Sequence, residues 1–445
     1  MAATLIRQQT PYDCIVIGVT RQDRPDALVK VLFDYFGSQR PLIGFSTLSG
    51  REDLFVLAGE LKEQGARTIL AGPQAGVDFK GERNWPQHDH RFKGFSANFS
   101  MALQGPGEQV LAMLNSGAKD AFKNTPGILY KTAGSIRQKP PLAWESAHLS
   151  TIDWHNLYRL KAAKLVRHEI RTAQVLQQVG CPYAARSRRI AIDFPSAMRE
   201  HKDCALPVTV RGCSFCDVAV DKGFHGTLDA ETVMAQINGL PDNRDGRKIA
   251  FELINEYPLP GLERLLEQAH SQGIELSQID LTLRADGLVS NADRLRSALD
   301  IAQHRGVRIV LGSVGFESFD DRILRNLNKG TDVAMNLTAV RLMRALKKDF
   351  PSTFGYLRSE GANHGFIHPT PWDTPQTDHH MRALISQYGL DQDILPQHST
   401  PLIIHHASAL GDWMRSIEKS HSLHLKRYGS IIGWWDIGAS QSDDQ

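Results

Sequence analysis

The stretch Arg308-Ile-Val-Leu-Gly-Ser-Val-Gly-Phe-Glu-Ser318 decides the fold. It is apolar along most of its length and closes on polar residues, as a parallel strand buried on both faces does. A helix pattern over 291–305 precedes it, and another over 332–347 follows. The same unit recurs upstream. Lys248-Ile-Ala-Phe-Glu-Leu-Ile254 leads into a helix over 261–272, and Ile279-Asp-Leu-Thr-Leu-Arg284 into the one over 291–305. Arg189-Ile-Ala-Ile-Asp-Phe194 is an earlier strand candidate; Gly365-Phe-Ile-His368 and Pro401-Leu-Ile-Ile-His-His406 are later ones. Repeated strand–helix units of this length predict a partial parallel barrel over 189–400. Chemistry in such a barrel gathers at the carboxyl ends of its strands. Glu252, Asn255, Glu256, Arg284, Glu317, Ser318 and His368 fall there. One polar residue at a strand end is ordinarily part of the surface or the fold. Several, beside a cysteine cluster, make a candidate site, and His368 is its catalytic candidate.

That cluster is Cys204-x8-Cys213-x2-Cys216, ending Arg211-Gly-Cys-Ser-Phe-Cys216. Soft thiolates suit iron–sulfur or zinc. Spacing alone leaves both open: three thiolates on a four-iron cluster with one open iron, or a zinc knuckle completed by His201 or His225. Five cysteines in 445 residues, three of them clustered, do not read as a disulfide framework.

The first third alternates strand and helix. Strand candidates begin at Cys14, Leu42 and Thr68, with helix patterns over 27–36 and 54–64 between them. This order predicts an open, doubly wound Rossmann-like sheet over 1–142, with ligands beyond its carboxyl edge near Gly18, Ser46, Thr47 and Gly72 to Gln74. Taken alone, these are ordinary turn residues. The stretch 143–188, rich in Arg and Lys and carrying Trp154 and Tyr158, reads as a connector; 401–445 is a C-terminal segment ending in a polar tail over 440–445. A formal net charge of +2 implies no strong pull on nucleic acid or an acidic membrane. With no apolar run of spanning length and no signal-peptide pattern at the start, a cytoplasmic protein is expected.

Several motifs together resemble the radical S-adenosylmethionine enzymes. They are the cysteine run, Leu283-Arg-Ala-Asp-Gly-Leu288, Gly315-Phe-Glu-Ser-Phe-Asp-Asp-Arg-Ile-Leu-Arg-Asn-Leu-Asn-Lys-Gly330 and Pro369-Thr-Pro-Trp-Asp-Thr374. Ile43-Gly-Phe-Ser46, Leu70-Ala-Gly-Pro-Gln-Ala75 and Leu103-Gln-Gly-Pro-Gly-Glu108 resemble the cobalamin-binding domain that precedes the radical domain in one branch of that family. Two departures stand out. The family's usual cysteine spacing is C-x3-C-x2-C, and here the first gap is eight residues. If 207–211 were the first barrel strand, Cys204 would lie far behind the cluster; with 189–194 as that strand, all three cysteines share the following loop. The second arrangement is the expectation, with Cys181 as the fallback ligand. The N-terminal domain is also short by one strand–helix unit and lacks an Asp-x-His-x-x-Gly run.

The resemblance implies a 4Fe-4S cluster on Cys204, Cys213 and Cys216, and S-adenosylmethionine on its open iron. A 5′-deoxyadenosyl radical would then act on an unactivated carbon by methylation or rearrangement. It implies Phe215 near the adenine, Asn255 and Glu256 at the amino group, Arg284 at the carboxylate, and Glu317 and Ser318 at the ribose or amino group. It implies cobalamin along Ser46, Thr47, Gly72 and Pro73, with Gly105 and Glu108 at the far edge of its pocket. The expected partners are a small-molecule or peptide substrate and an electron donor such as flavodoxin or ferredoxin. Two other readings stand beside this one: a radical enzyme whose N-terminal domain no longer binds cobalamin, and a zinc-stabilised binding protein without catalysis.

Overall fold

The computed structural model describes all residues except 1, 48–50, 73, 83–91, 106, 108–113, 115–120, 143–151, 199, 201–203, 217–225 and 439–445, and the side chain of 121. Pro73, Glu108, His201, His225 and the 440–445 tail therefore lie outside the described residues. The chain divides into two compact units, 1–170 with 426–432, and 171–425 with 433–445. No helix among the described residues is long and apolar enough to cross a membrane.

In the first unit, strands β1 (Val16–Gly18), β2 (Leu42–Ser46), β3 (Arg67–Ala71), β4 (Met101–Leu103), β5 (Ile128–Thr132) and β6 (Ser135–Gln138) precede a hairpin of β7 (Leu157–Lys161) and β8 (Lys164–Arg167). One sheet has the order β2-β3-β4-β5-β6. Its first three strands are parallel and its last two pairings antiparallel. Helices Pro25–Phe36 and Glu52–Glu63 supply Leu28, Leu32, Phe55, Ala58 and Leu61 to a core shared with Phe45 and Leu70 of the strands. Two expectations need correcting. β1 does not join this sheet; it pairs in parallel with β7, so much of the supposed connector belongs to the first unit. And the parallel strands run in chain order, so the described residues contain no reversal of strand order and hence no doubly wound switch point. β2 is left as the edge strand of its sheet. The C-terminal segment divides likewise: 426–432 lies in the first unit, where Arg427 Nε donates to buried Glu82 at 2.6 Å.

The second unit is built on a parallel sheet of β9 (Thr172–Leu176), β14 (Ala250–Ile254), β15 (Gln278–Arg284), β16 (Arg308–Glu317), β17 (Phe354–Gly355) and β18 (Gly365–Phe366). The shorter elements between β9 and β14 are β10 (Gln178–Val179), β11 (Ser187–Asp193), β12 (Ala205–Arg211) and β13 (Gly226–Thr227). The order β9-β14-β15-β16 follows the chain, each strand parallel to the next. β17 pairs with the start of β16 and β18 with its end. Helices Leu259–Ser271, Ala292–His304 and Val333–Asp349 follow β14, β15 and β16. Phe251, Leu253, Ile279, Leu281, Ile309 and Leu311 are almost wholly buried and share one face of the sheet, while the alternate positions of β14 and β15 are partly open. A bulge at Gly312 shifts the β15–β16 register, so that Arg284 pairs with Gly315. This places the polar ends of both strands at one edge.

The first strand of this sheet is β9, not 189–194. β11 instead forms an antiparallel hairpin with β12, in register from Ser187–Arg211 to Asp193–Ala205. The cause is local. Asp193 accepts from Arg322 at 2.7 Å and from Asn326 at 3.2 Å, and its carbonyl accepts from Trp372 Nε1 at 2.9 Å. These contacts tie the hairpin to the helix Asp321–Asn326 and the 369–374 loop. The second unit accordingly begins at Arg171 rather than at 189.

Candidate functional site

The hairpin decides which cysteines can meet. Cys204 lies just before β12 and Cys213 just after it. Six residue steps of extended strand separate Ala205 from Arg211, about 20 Å at the rise of a β-strand. Cys204 is exposed at the far end of the hairpin, its carbonyl accepting from Phe194 N–H. The geometry that would exclude Cys204 from a shared site is the one the chain adopts. The expectation that it joins Cys213 and Cys216 is corrected on this ground.

Cys181 is the fallback ligand. It follows β9 and β10 and opens a short 3-10 turn, Pro182–Ala184, accepting from Ala184 N–H at 2.9 Å. That turn packs against the residue before Cys213. Gly212 has φ +67°, and a Cβ there would lie 3.0 Å from Ala184 Cβ. A side chain at Gly212 would push the turn away from the Cys213 loop. Cys216 N–H donates to Cys213 O at 3.1 Å, closing the Cys-x2-Cys turn. Burial pushes the Cys213 thiol up; Lys329 and Arg284 pull it down, while Glu317 and Cys181 add to the rise. Cys181 is thus close enough for its charge to be felt at Cys213.

The segment 326–330 cradles this loop. Ser214 N–H donates to Leu327 O at 2.9 Å and Ser214 Oγ to Asn326 O at 2.8 Å. Asn328 Nδ2 donates to Gly212 O at 2.7 Å, and Asn328 O accepts from Tyr183 Oη at 2.9 Å. Gly330 has φ +73°, and a Cβ there would come within 2.6 Å of that Tyr183 oxygen. Lys329 points the other way, into the interior, and donates to Glu317 Oε1 at 2.9 Å. Burial alone would push its ammonium down, but Glu317 and then Cys213 hold it above the ordinary lysine value. The most specific sequence motif therefore binds the cysteine loop through one backbone–backbone bond and two side-chain-to-backbone bonds.

Arg284, the last residue of β15, stacks over Tyr183 with its guanidinium carbon 4.0 Å from the ring centre. Nε donates to Asp286 at 3.0 Å, Nη2 to Asp286 and to Lys329 O, and Nη1 reaches Cys213 Sγ at 3.6 Å. With its donors engaged in this way, Arg284 braces the cysteine loop instead of presenting a free fork to a ligand carboxylate. Ser318 is also placed inward. It is fully buried, and its Oγ accepts from Asp320 N–H at 3.2 Å and contacts Met381 Sδ. It holds a turn and has no open face toward a ribose.

The remaining predicted residues line the same carboxyl edge. Asn255 donates to Gln177 Oε1 at 2.7 Å and accepts from Tyr257 N–H at 2.7 Å, so both ends of its amide are used. Glu256 N–H donates to Gln178 Oε1 at 3.1 Å. Its side chain has open surface, yet surrounding chain desolvates the carboxyl enough to raise its pKa against the pull of Lys329 and Arg284. Glu252 accepts from Gln174 at 3.0 Å and from Thr282 at 3.2 Å, inside the sheet. Glu317 sits at φ +62°, beside Gly315 and Gly365, either of which would clash with its carboxylate if it carried a Cβ. Phe215 is half-buried between the paired cysteines. His368 faces Asp373 at 3.2 Å. Sequence reading passed over Tyr183, Asn328 and Lys329 as site residues. For Asn328 and Lys329 the signal was the 326–330 motif itself, which only the fold connects to Tyr183 and the Cys213 loop.

In the first unit, Ser46 ends β2 and pairs in register with Ala71, the end of β3. Gly72, at φ +81°, follows directly; a Cβ there would lie 2.7 Å from Ser46 Oγ. Thr47 is 3% exposed, and among the described residues its hydroxyl has no hydrogen-bond partner. Gly105 lies two residues past β4, the next parallel strand. Ser46, Thr47, Gly72 and Gly105 thus share one carboxyl edge.

No protein-family profile and no curated protein sequence matches the chain. Among the solved structures that do is the apo, selenomethionine-labelled cobalamin-dependent S-adenosylmethionine radical enzyme OxsB. The likeness has a TM-score of 0.53 at 13% identity and covers 93% of this chain and 57% of OxsB. This chain therefore spans little more than half the length of OxsB. What the two share is a mixed α/β fold with parallel sheets.

Proposed function

We propose that this chain is a radical S-adenosylmethionine enzyme whose four-iron cluster is held by Cys181, Cys213 and Cys216, and whose first unit binds cobalamin. The observation that carries the reading is the interlock of the Cys181 turn, the Cys213–Cys216 turn and the 326–330 segment at the carboxyl edge of a parallel sheet. Three thiols with buried Arg284 and Lys329 beside them suit a thiolate-bound cluster, because nearby cations offset the charge of deprotonated sulfur. Bound there, the cluster would supply the electron that splits S-adenosylmethionine into methionine and a 5′-deoxyadenosyl radical.

The chain's own residues do the rest. Arg284 and Asn328 fix the thiol-bearing loop. Glu256, a carboxylate on this edge that accepts no hydrogen bond among the described residues, would receive the amino group of S-adenosylmethionine. Phe215 would meet the adenine. Gly72, Ser46 and the Thr47 hydroxyl would take the cobalamin tail, since a glycine turn lets a ligand approach the backbone and an unpartnered hydroxyl gains a partner. Methylation or rearrangement of an unactivated carbon, with a flavodoxin- or ferredoxin-type electron donor, is the reaction class this arrangement serves.

The test is anaerobic purification with reconstitution, followed by iron, sulfide, zinc and cobalt analysis. A cluster with about four irons, and 5′-deoxyadenosine released on adding reductant and S-adenosylmethionine, is expected. Zinc without sulfide would replace this reading with a structural zinc site on the same thiols. An intact cluster with no cobalt taken up would leave the radical activity and remove cobalamin.

A further inference from the structure

We propose that His368, Asp373 and Asp378 form a binding site for a divalent first-row metal ion, distinct from the three cysteines. The inference stands whether or not the radical reading does, because it uses none of the same ligands. One ligand atom from each of the three residues lies within 4.8 Å of the others. His368 Nδ1 and Asp373 Oδ2 are already 3.2 Å apart. That is the separation of neighbouring donors around a metal with bonds of about 2.1 Å.

The second observation concerns unmet bonding capacity. His368 Nδ1, Asp373 Oδ1 and Asp378 Oδ1 are buried atoms without a hydrogen-bond partner among the described residues. His368 and Asp373 already face one another as a charge pair at 3.2 Å. An unsatisfied buried polar atom costs about 1–3 kcal/mol, more when charged, so three together in one place call for a shared partner. A small cation meets all three at once. A proton on His368 meets only one.

The frame around the site is rigid and does not supply that partner. Asp373 Oδ2 accepts from Thr370 N–H at 2.5 Å, which fixes the carboxylate. Trp372, fully buried, anchors the loop through Asp193 O and through Ser196 Oγ, which donates to Trp372 O at 2.9 Å. Asp378 lies in the first turn of the helix Pro375–Tyr388, capped by Thr374. The contact with Asp373 raises the His368 pKa against burial, which lowers it; the charges of Asp373 and Asp378 add to the rise and Arg382 opposes it. The helix start favours an acidic residue at 378 without any ligand. It does not explain why Asp378 Oδ1 is buried without a partner on a residue grouped with His368 and Asp373.

The donors choose the ion. One imidazole nitrogen and two carboxylate oxygens suit manganese, iron(II) or zinc, and leave positions open for water or an anionic oxygen of a substrate. The location agrees with such a role. Ile367 N–H donates to Glu317 O at 2.8 Å, so His368 sits one residue beyond the end of β16 on the edge that carries the cysteine loop.

Manganese(II) is the probe, because carboxylate and imidazole bind it while thiolates prefer softer ions. Chelator-treated full-length protein is titrated with Mn2+ alone, and free Mn2+ is followed by electron paramagnetic resonance. One bound equivalent is expected, with nitrogen coupling from one imidazole in the pulsed spectrum. His368→Ala should remove that coupling. Asp378→Asn should weaken binding by more than the about ten- to a hundredfold that loss of a supporting contact costs. Asp373→Asn also disturbs the Thr370 contact, so Asp378→Asn, which breaks no hydrogen bond seen here, is the deciding variant. Its melting temperature confirms that it is folded. No bound Mn2+ in wild type, no nitrogen coupling, or equal affinity in folded Asp378→Asn would each overturn the proposal and leave an His368–Asp373 ion pair.

Discussion

The carboxyl edge of β14, β15 and β16 is packed with paired charge, whereas the corresponding edge of β2, β3 and β4 carries small residues and an unpartnered hydroxyl. In the second unit Arg284 is paired with Asp286, Lys329 with Glu317, and the loop of Cys213 is tied down at Gly212 and Ser214. In the first, Gly72 lies against Ser46 and Thr47 is buried without a donor or acceptor among the described residues. An edge whose charges are already matched by the protein is assembled before any ligand arrives, at the cost of desolvating those charges. An edge of small residues leaves its partners to be supplied by the ligand. The same substitution logic therefore has opposite signs in the two units.

The largest expected effect tests which cysteines belong to the preassembled edge. Cys181→Ala should abolish iron loading as completely as Cys213→Ala and Cys216→Ala do. Cys204→Ala should load like wild type, because its side chain lies at the other end of a seven-residue strand. Iron and sulfide counts on the four variants decide it. Loss of iron in Cys204→Ala with full loading in Cys181→Ala would dismantle the assignment.

Next is the buried pair behind the loop. The side chains of Lys329 and Glu317 are 5% and 12% exposed, so neither charge is left in water when the other is removed. Lys329→Ala should destabilise the second unit by about 3–5 kcal/mol, the usual cost of stranding a buried charge. The double variant Lys329→Met with Glu317→Leu should recover most of that loss, since apolar groups of similar size leave no charge unpaired. Denaturant unfolding measures both. A double variant as unstable as the single one would mean that Lys329 is needed for the cysteine loop beyond its partner.

These outcomes also mark what the sequence carried. The strands at 250–254, 278–284 and 308–317 were legible because each is a short apolar-rich segment between helical patterns, alternating with polar residues over 278–284. The cysteine set was not. Arg189 to Phe194 and Ala205 to Arg211 have the apolar content of a parallel strand each, and only their pairing with one another reveals a hairpin that separates Cys204 from Cys213. β9 was missed because Thr172-Ala-Gln-Val-Leu176 alternates small and polar residues. The roles of Arg284 and Ser318 were misjudged for a related reason. Position at a strand end is visible in sequence, but the direction of the side chain depends on neighbours such as Tyr183 and Met381, which lie 101 and 63 residues away.

A smaller effect concerns Glu256, whose carboxylate has no partner among the described residues. Desolvation by the surrounding chain raises its folded-state pKa above the ordinary 4.5, although the side chain keeps open surface. A carboxyl shifted this way favours the folded state below that ordinary value, and the advantage is lost as pH rises through the raised one. At neutral pH the ionised group is a liability, so Glu256→Gln should raise the melting temperature there and lose its advantage toward pH 4. If Glu256 receives the amino group of S-adenosylmethionine, the same variant should weaken binding of that molecule. A more stable protein that binds its cofactor less well is the mark of a residue kept for function. Unchanged affinity alongside the gain in stability would leave Glu256 a site residue in position only.

The smallest effect belongs to the other edge, at Thr47. Valine has the same shape and lacks the hydroxyl. In the ligand-free protein Thr47→Val removes a buried oxygen that has no partner among the described residues. Removing an unsatisfied hydroxyl relieves a desolvation cost, so the variant should be neutral or more stable by up to about 1 kcal/mol. In the presence of cobalamin the sign should reverse. A ligand that donates to or accepts from that hydroxyl loses about 0.5–1.5 kcal/mol of binding with it, a factor of about two to ten in affinity. Melting curves of both proteins, with and without cobalamin, give the two signs in one experiment, and bound cobalt gives the affinity directly. Destabilisation of the free variant by more than about 1 kcal/mol would show that the hydroxyl already has a partner within the chain. The first unit's edge would then be preassembled like the second's, and the contrast between them would fall.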